Sequence, residues 1–332
     1  MLHSIKKTLG GVAEAAWARR GKTVRPTAQL EAQHAFTSRL LAELGTGGAD
    51  VAAVVFSKDR AMQLHAFLTS YCEQVRSPPA LTVLYRASTA AHQAAYDELC
   101  AAAGELPAEI AFLPETDFRS QLIEFVARAE AAKVVMFVDD MVFKEPLDGA
   151  ALRAIDSASH ILSLSRGRDL TYSTVLQRPI TVPPLRPVGD GLLEFSWEGA
   201  EFSDWTFPLG LSGFMYGRLE LLAMLRALPF RAPNSLEAAM QQLVPLFEAR
   251  PGLCFDKATC ACIHANMVQT ELSNPTLGTF SVEQLLDLWR QGMAIDVRAL
   301  YGLDLAVAEQ ATYSFLPRGR PAPGAAHATP AD

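Results

Sequence analysis

Two adjacent carboxylates, Asp139 and Asp140, close an unbroken apolar run, Val134-Val135-Met136-Phe137-Val138. Such a run ending in charge reads as a buried parallel strand whose carboxyl end opens into a cleft, the place where open α/β sheets bind ligands. Two acids this close are costly to keep ionised unless a cation, or the hydroxyls and phosphates of a ligand, lies between them. An earlier apolar run, Val51 to Phe56, is followed by Ser57-Lys58-Asp59-Arg60. Arg60 begins a helix, so its guanidinium and the first N–H groups suit a phosphate; equally, Ser57 or Asp59 caps the helix and Arg60 faces solvent. In Pro233-Asn234-Ser235-Leu236-Glu237, Asn at the cap with Glu three residues on is a capping-box pattern that accounts for Glu237 without catalysis. Gly213, set between Ser212 and Phe214, suits either a close backbone approach to a ligand or a tight turn. Cys260 and Cys262 near His264 outline a metal site, but one such cluster falls short of a usual zinc set.

The elements that position these residues alternate. Short apolar runs at 51–56, 81–85, 110–113, 134–138 and 161–164 are separated by amphipathic stripes such as Leu64, Phe67, Leu68, Tyr71 and Leu122, Phe125, Val126, Ala129. Repeated strand–helix units predict an α/β chain with a mostly parallel, Rossmann-like sheet flanked by helices. No G-x-G-x-x-G follows the first strand and no G-x-x-x-x-G-K occurs, so neither a dinucleotide fingerprint nor a P-loop is present. Residues 1–48 read as an N-terminal helical arm, with a second helical pattern from Thr27 to Leu44. Residues 49–270 read as the catalytic domain, 271–316 as a C-terminal helical segment opened by Ser281 and closed near Gly292, and 317–332 as a disordered tail. Residues 166–200, rich in Pro, Gly and Arg, read as a long excursion over the cleft.

With 332 residues, half of them hydrophobic and 20% charged, the chain has the make-up of an ordinary soluble protein. A net charge of −7 argues against nucleic acid as a partner. No stretch nears the roughly 18 apolar residues of a membrane span, and the N-terminus lacks a secretory core, which predicts a cytoplasmic chain. The five cysteines form no C-x-x-C pair and fit reduced thiols. Residues 1–26 place Leu2, Ile5, Leu9 and Val12 at helical spacing among basic residues, so peripheral contact with an anionic membrane face competes with a plain solvated arm.

The ordered set resembles a glycosyltransferase of the GT-A fold, of the bacterial kind grouped with glycosyltransferase family 2. Val55-Phe56-Ser57-Lys58-Asp59-Arg60, Tyr85-Arg86-Ala87-Ser88, Val138-Asp139-Asp140-Met141-Val142-Phe143, Asp204-Trp205, Ser212-Gly213, Pro233-Asn234-Ser235-Leu236-Glu237 and Asn266-Met267-Val268-Gln269 fall in the expected order over residues 50–298. The resemblance implies a nucleotide-diphosphate sugar as donor and a glycan or lipid-linked hydroxyl as acceptor, in cell-envelope or surface polysaccharide synthesis. It implies that Ser57, Asp59, Arg60, Arg86, Ser88, Asp139 and Gly213 bind the nucleotide sugar. Glu237 and Asp204 are then the catalytic candidates, and Asp140 with His264 would hold a divalent cation, Mn²⁺ or Mg²⁺.

One departure bears on that cation. The family's acidic motif has carboxylates two residues apart, and the second position here is Met141, whose thioether is a poor ligand for a hard metal. Neighbouring side chains on a strand point oppositely, so Asp139 and Asp140 converge only if the strand has turned. Asp140 and His264 coordinating, a metal-free enzyme and a degenerate site all remain open. So do two other functions: a sugar nucleotidyltransferase, disfavoured because Ser57-Lys58-Asp59-Arg60 has no glycine, and a catalytically disabled binding or scaffold protein.

Overall fold

The computed structural model describes residues 27–44, 50–199, 201–266, 268, 278–310 and 313–319. The basic arm at 1–26, the linker at 45–48 and most of the tail lie outside the described residues. The expected α/β architecture is present, Rossmann-like in its first half. Strands β1 (Val51–Lys58), β2 (Ala80–Arg86), β3 (Ile110–Pro114) and β4 (Lys133–Val138) alternate with helices α2 (Ala61–Gln74), α3 (Ala90–Ala103) and α4 (Phe118–Arg128), after an N-terminal α1 (Thr27–Leu44). β5 (Met141–Phe143), β6 (Ile161–Ser163), β7 (Arg186–Gly189), β8 (Leu192–Phe195), β9 (Phe214–Gly217), β10 (Gly252–Phe255), β11 (Cys260–Ile263) and β12 (Glu309–Gln310) follow. With them come α5 (Arg218–Ala227), α6 (Pro233–Met240) and α7 (Val282–Arg290).

Nine strands form one sheet in the order β7-β8-β10-β6-β9-β4-β1-β2-β3. It is parallel from β4 through β1 and β2 to β3, whereas β9 runs antiparallel between β4 and β6. Apolar runs do not reveal strand direction, so the sheet is more mixed than the alternation implies. β1 is buried on both faces. Val51, Ala53 and Val55 pack with Leu64, Phe67 and Tyr71 of α2, while Val54 and Phe56 pack with Leu122 and Val126 of α4 and Leu221 of α5. Burying each large side chain contributes about 1.5–3 kcal/mol, so α2 is held firmly and its cap residue, Arg60, is fixed at the carboxyl end of β1.

Two stretches depart from expectation. Residues 166–199 do reach the cleft, through Ser173, Val175 and Leu176, but they also carry strands: Tyr172–Ser173 pairs with Arg178–Pro179, and β7 and β8 extend the main sheet. The C-terminal segment holds the expected helix, α7, with Ser281 accepting from the Gln284 N–H and Gln284 accepting from the Ser281 N–H. It also carries strands. Met293–Ile295 pairs with Phe315–Pro317, and β12 joins β11 and β5 in a small sheet of order β12-β11-β5. Helical periodicity does not register strands of two or three residues, whose pairing comes from distant partners. Among the described residues no helix is long and apolar enough to cross a membrane.

Candidate functional site

β4 ends at Val138, so Asp139 and Asp140 lie in the turn before β5, and their neighbouring carboxylates converge as they could not on an extended strand. They converge on Arg60. Its Nη1 donates to Asp139 Oδ1 at 3.0 Å and to Asp140 Oδ2 at 3.2 Å. Its Nε donates to Asn266 Oδ1 at 2.9 Å, and Nη2 donates to the Asn266 carbonyl. The parallel register Phe56↔Val138 sets the end of β1 beside that of β4, which is why Arg60, the cap of α2, reaches both acids. Ser57 Oγ donates to Asp139 Oδ2 at 2.8 Å and lies 2.6 Å from the Tyr96 hydroxyl. Burial pushes the Asp139 carboxyl up to about 6, against the pull of Arg60, and Asp140's charge adds to the rise. For Arg60, burial opposes the charge, but Asp139 and Asp140 outweigh it and raise its pKa.

The capping reading of Ser57 and Asp59 is not what the chain adopts. Arg60 itself occupies the cap position without a side-chain cap bond, and Asp59, at φ 56°, turns its carboxylate to the Ser88 N–H and hydroxyl at 2.6 and 2.7 Å. Arg86 pairs with Glu115 at 3.4 Å and is largely exposed. Asp59, Ser88 and Arg86 therefore form a rim on the ends of β1 and β2, beside the cluster built by Ser57, Arg60 and Asp139. Gly213 has φ +76°, and a Cβ there would stand 3.0 Å from Met141 Cε and 3.1 Å from Leu164 Cβ. The left-handed φ and the crowding suit the tight turn that the sequence allowed. Met141 is fully buried in the core.

A cleft of about 480 Å³ runs between Arg60, Asp140, Arg166, Asp204, Glu237 and His264. Asp204 opens a short 3₁₀ turn, Asp204–Thr206, capped by Ser203 and anchored by buried Trp205, whose Nε1 donates to the Leu170 carbonyl at 3.1 Å. That anchoring presents the Asp204 carbonyl to Arg166, which donates through Nη2 at 2.6 Å and Nε at 3.2 Å. Glu237 is free of the capping role assigned from the sequence. α6 begins two residues earlier, with Ala232 as cap and Pro233 at the first helical position, and Ser235 Oγ accepts from the Ala232 N–H at 3.0 Å. Glu237 Oε1 instead accepts from the Leu211 N–H at 3.2 Å, and burial raises its carboxyl above the usual range despite that bond and Arg166.

Three cleft residues escaped the sequence reading as functional groups. Arg166 follows β6 as Arg60 follows β1, a strand-end signal hidden in an apparently loose Arg-rich stretch. It lies over the Phe214 ring at 5.0 Å and has no ion pair among the described residues; burial lowers its pKa. Asn266 carried a motif but no role, and it now binds Arg60 and Gln63. Glu309, beyond the last helix, gave no signal in sequence and enters the cleft through β12.

The expected cation site is not assembled. Among the described residues no three His, Cys, Asp or Glu side chains are arranged to hold a metal ion, and the carboxylates of Asp139 and Asp140 are both met by Arg60. His264 shares the cleft but is not joined to Asp140 in a donor set. Cys260 and Cys262 are free thiols, and burial raises the pKa of both.

No family model and no curated protein matches the chain. Solved structures do. S. aureus TarS residues 1–349 is 13% identical with TM-score 0.39, covering 64% of this chain and 59% of that one, and it has also been solved with UDP. A nucleotidyl transferase from Methanothermobacter thermautotroptrophicus is 13% identical with TM-score 0.34, covering 64% and 89%. The mannosyltransferase PcManGT from Pyrobaculum calidifontis, in complex with GDP-Man and Mn²⁺, is 16% identical with TM-score 0.35, covering 69% and 64%. The chain is similar in part to these sugar and nucleotidyl transferases, each at low identity.

Proposed function

We propose that the chain is a glycosyltransferase that moves a sugar from a nucleotide-diphosphate donor to an acceptor hydroxyl. The observation that carries this reading is that Arg60 and Asp140, with Asp139 buried behind them on Arg60, line one cleft together with Glu237 at the carboxyl ends of β1 and β4. The nucleotide's ribose and diphosphate lie against Ser57, Arg60 and Asp139, with the Asp59–Ser88 rim beside the base. Glu237 takes the proton of the acceptor hydroxyl. The hydroxyl oxygen forms the new bond to the anomeric carbon, and the bond from that carbon to the diphosphate breaks. A carboxyl raised by burial suits this task, because proton transfer is most effective when the base's pKa lies near the working pH. Arg166 supplies a fixed positive charge in a water-poor wall of the same cleft, where charge on the leaving group is stabilised. The acceptor class is a glycan or lipid-linked chain of the cell envelope, by resemblance.

Calorimetric titration with UDP, GDP and their sugar conjugates, in EDTA and then in Mn²⁺, tests the reading. Binding of at least one nucleotide with Glu237→Gln retaining that affinity but losing transfer is expected. A folded protein that binds none of them overturns it, and favours a scaffold whose acids serve only to hold Arg60. A gain in affinity on adding Mn²⁺ means that Arg60 yields the two carboxylates to the cation.

A further inference from the structure

β12 is a two-residue strand, yet it decides what faces the cleft. Its backbone is fixed on both sides: the Cys262 N–H donates to the Ala308 carbonyl at 2.8 Å and the His264 N–H to the Gln310 carbonyl at 3.0 Å. β11 is in turn tied to the acidic turn, with the Ile263 N–H donating to the Asp140 carbonyl at 2.7 Å. Glu309, set opposite Cys262, is thereby held as a wall of the cleft that Asp204, His264 and Asn266 also line.

These four side chains do not satisfy one another. Glu309 Oε2, Asp204 Oδ2, His264 Nδ1 and Asn266 Nδ2 are each buried without a hydrogen-bond partner, and Asn266 is 7% exposed. Buried polar groups are bonded in the great majority of cases, and leaving one unmet is expensive. Four such atoms on residues of one cleft, two of them carboxylate acceptors and one an amide donor, make a floor suited to groups that donate and accept at once. Hydroxyls do both. A sugar ring carries several of them at spacings that one small wall can meet.

We propose that Glu309, together with Asp204 and His264, forms the subsite that binds the hydroxyls of a sugar ring, so that the C-terminal segment supplies a specificity-determining residue to the cleft. This rests on the transferase reading for the identity of the ring, which belongs either to the donor or to the acceptor. Burial raises the Glu309 carboxyl and Asp204's charge adds to the rise, while the Thr174 hydroxyl first, then His264 and Arg166, draw it down. The carboxyl therefore gains most from a ligand hydroxyl that donates to it.

The test compares the full chain with Glu309→Gln, a near-isosteric change that leaves the β12 backbone bonds intact, and with Asp204→Asn as a second variant. Thermal unfolding confirms that each is folded. Ligands are UDP and GDP, then UDP-glucose, UDP-N-acetylglucosamine and GDP-mannose, then methyl glycosides of the same sugars with UDP or GDP present. Loss of one charge-assisted hydrogen bond weakens a ring-bearing ligand about tenfold. If Glu309→Gln weakens the sugar conjugates to that extent and leaves UDP and GDP within about twofold, the subsite takes the donor ring. If only the methyl glycosides weaken, it takes the acceptor ring. Unchanged affinity for every ring-bearing ligand in both variants overturns the proposal while leaving nucleotide binding, and with it the transferase reading, intact. Glycoside binding that depends on Glu309 in a chain that binds no nucleotide would end the transferase reading and keep the subsite. No binding of any ligand overturns both.

Discussion

The two ends of the cleft treat their acids in opposite ways. At the end of β4, Asp139 and Asp140 are closed off by one guanidinium, with Ser57 and Asn266 completing its surroundings. At the floor, Asp204 and Glu309 stand beside His264 with polar atoms unmet and no ion pair among the described residues. In the first arrangement both carboxylates are met by a cation within the protein and hold shape; in the second, carboxylate oxygens are left unmet and invite a ligand. A pair of conspicuous carboxylates in sequence thus turns out to be the more internally satisfied region, and the inconspicuous one carries the unmet bonding capacity.

The largest effect that breaks this contrast is removal of the lock. Arg60→Ala leaves two largely buried carboxylates without their cation, and a loss of about 3–5 kcal/mol in denaturant unfolding is expected, along with nucleotide binding. On the other side of the cleft, Glu237→Gln is expected to lower turnover by about 10²–10⁴ with unchanged donor affinity and thermal midpoint. Wild-type turnover in the variant would confine Glu237 to its bond with Leu211. The pH dependence of the lock comes next. Asp139's folded pKa of about 6 lies above its ordinary 3.8, so its contribution to stability is full below the lower value and is lost as pH rises through the upper one. The parent should therefore lose up to roughly 3 kcal/mol relative to Asp139→Asn between pH 4 and pH 7. Parallel unfolding curves against pH for the two proteins would show that Arg60 fully offsets burial. The smallest effect sharpens the support beneath the lock. Gly213→Ala forces a side chain into a left-handed φ and against Met141, and about 1–2 kcal/mol of destabilisation is expected, with nucleotide affinity kept in the folded fraction.

How much of this was legible depends on whether the signal is local. β1 and β4 could be read because strands buried on both faces are nearly continuous in apolar residues, and α2 because Leu64, Phe67, Leu68 and Tyr71 repeat at helical spacing. Asp139 and Asp140 could be read as a strand-end pair. That Arg60 meets them could not, since the sequence weighs phosphate binding and solvent equally and only the register of β1 on β4 decides. The spacing of Asn234 and Glu237 reads as a capping box, but the helix starts at Pro233 with Ala232 as its cap, and Ser235, not Glu237, bonds back to that cap. Glu309 was illegible for a physical reason. A two-residue strand has no period of its own and is placed by hydrogen bonds to residues near 262, far away in sequence.

The antiparallel strand at the middle of the sheet has a bearing on how the chain reaches this state. β4 pairs on one side with β1, Val51 opposite Lys133, and on the other with β9, Phe214 opposite Met136. Both partners are remote along the chain, so closing either ladder carries a loop-entropy cost before its contacts are gained. The parallel unit from 51 to 138 can form on emerging, but β4 keeps an open edge until residues near 214 arrive. During synthesis the acid pair is thus in place before its cleft has a second wall, and the interval between the two is when an exposed apolar edge invites mispairing.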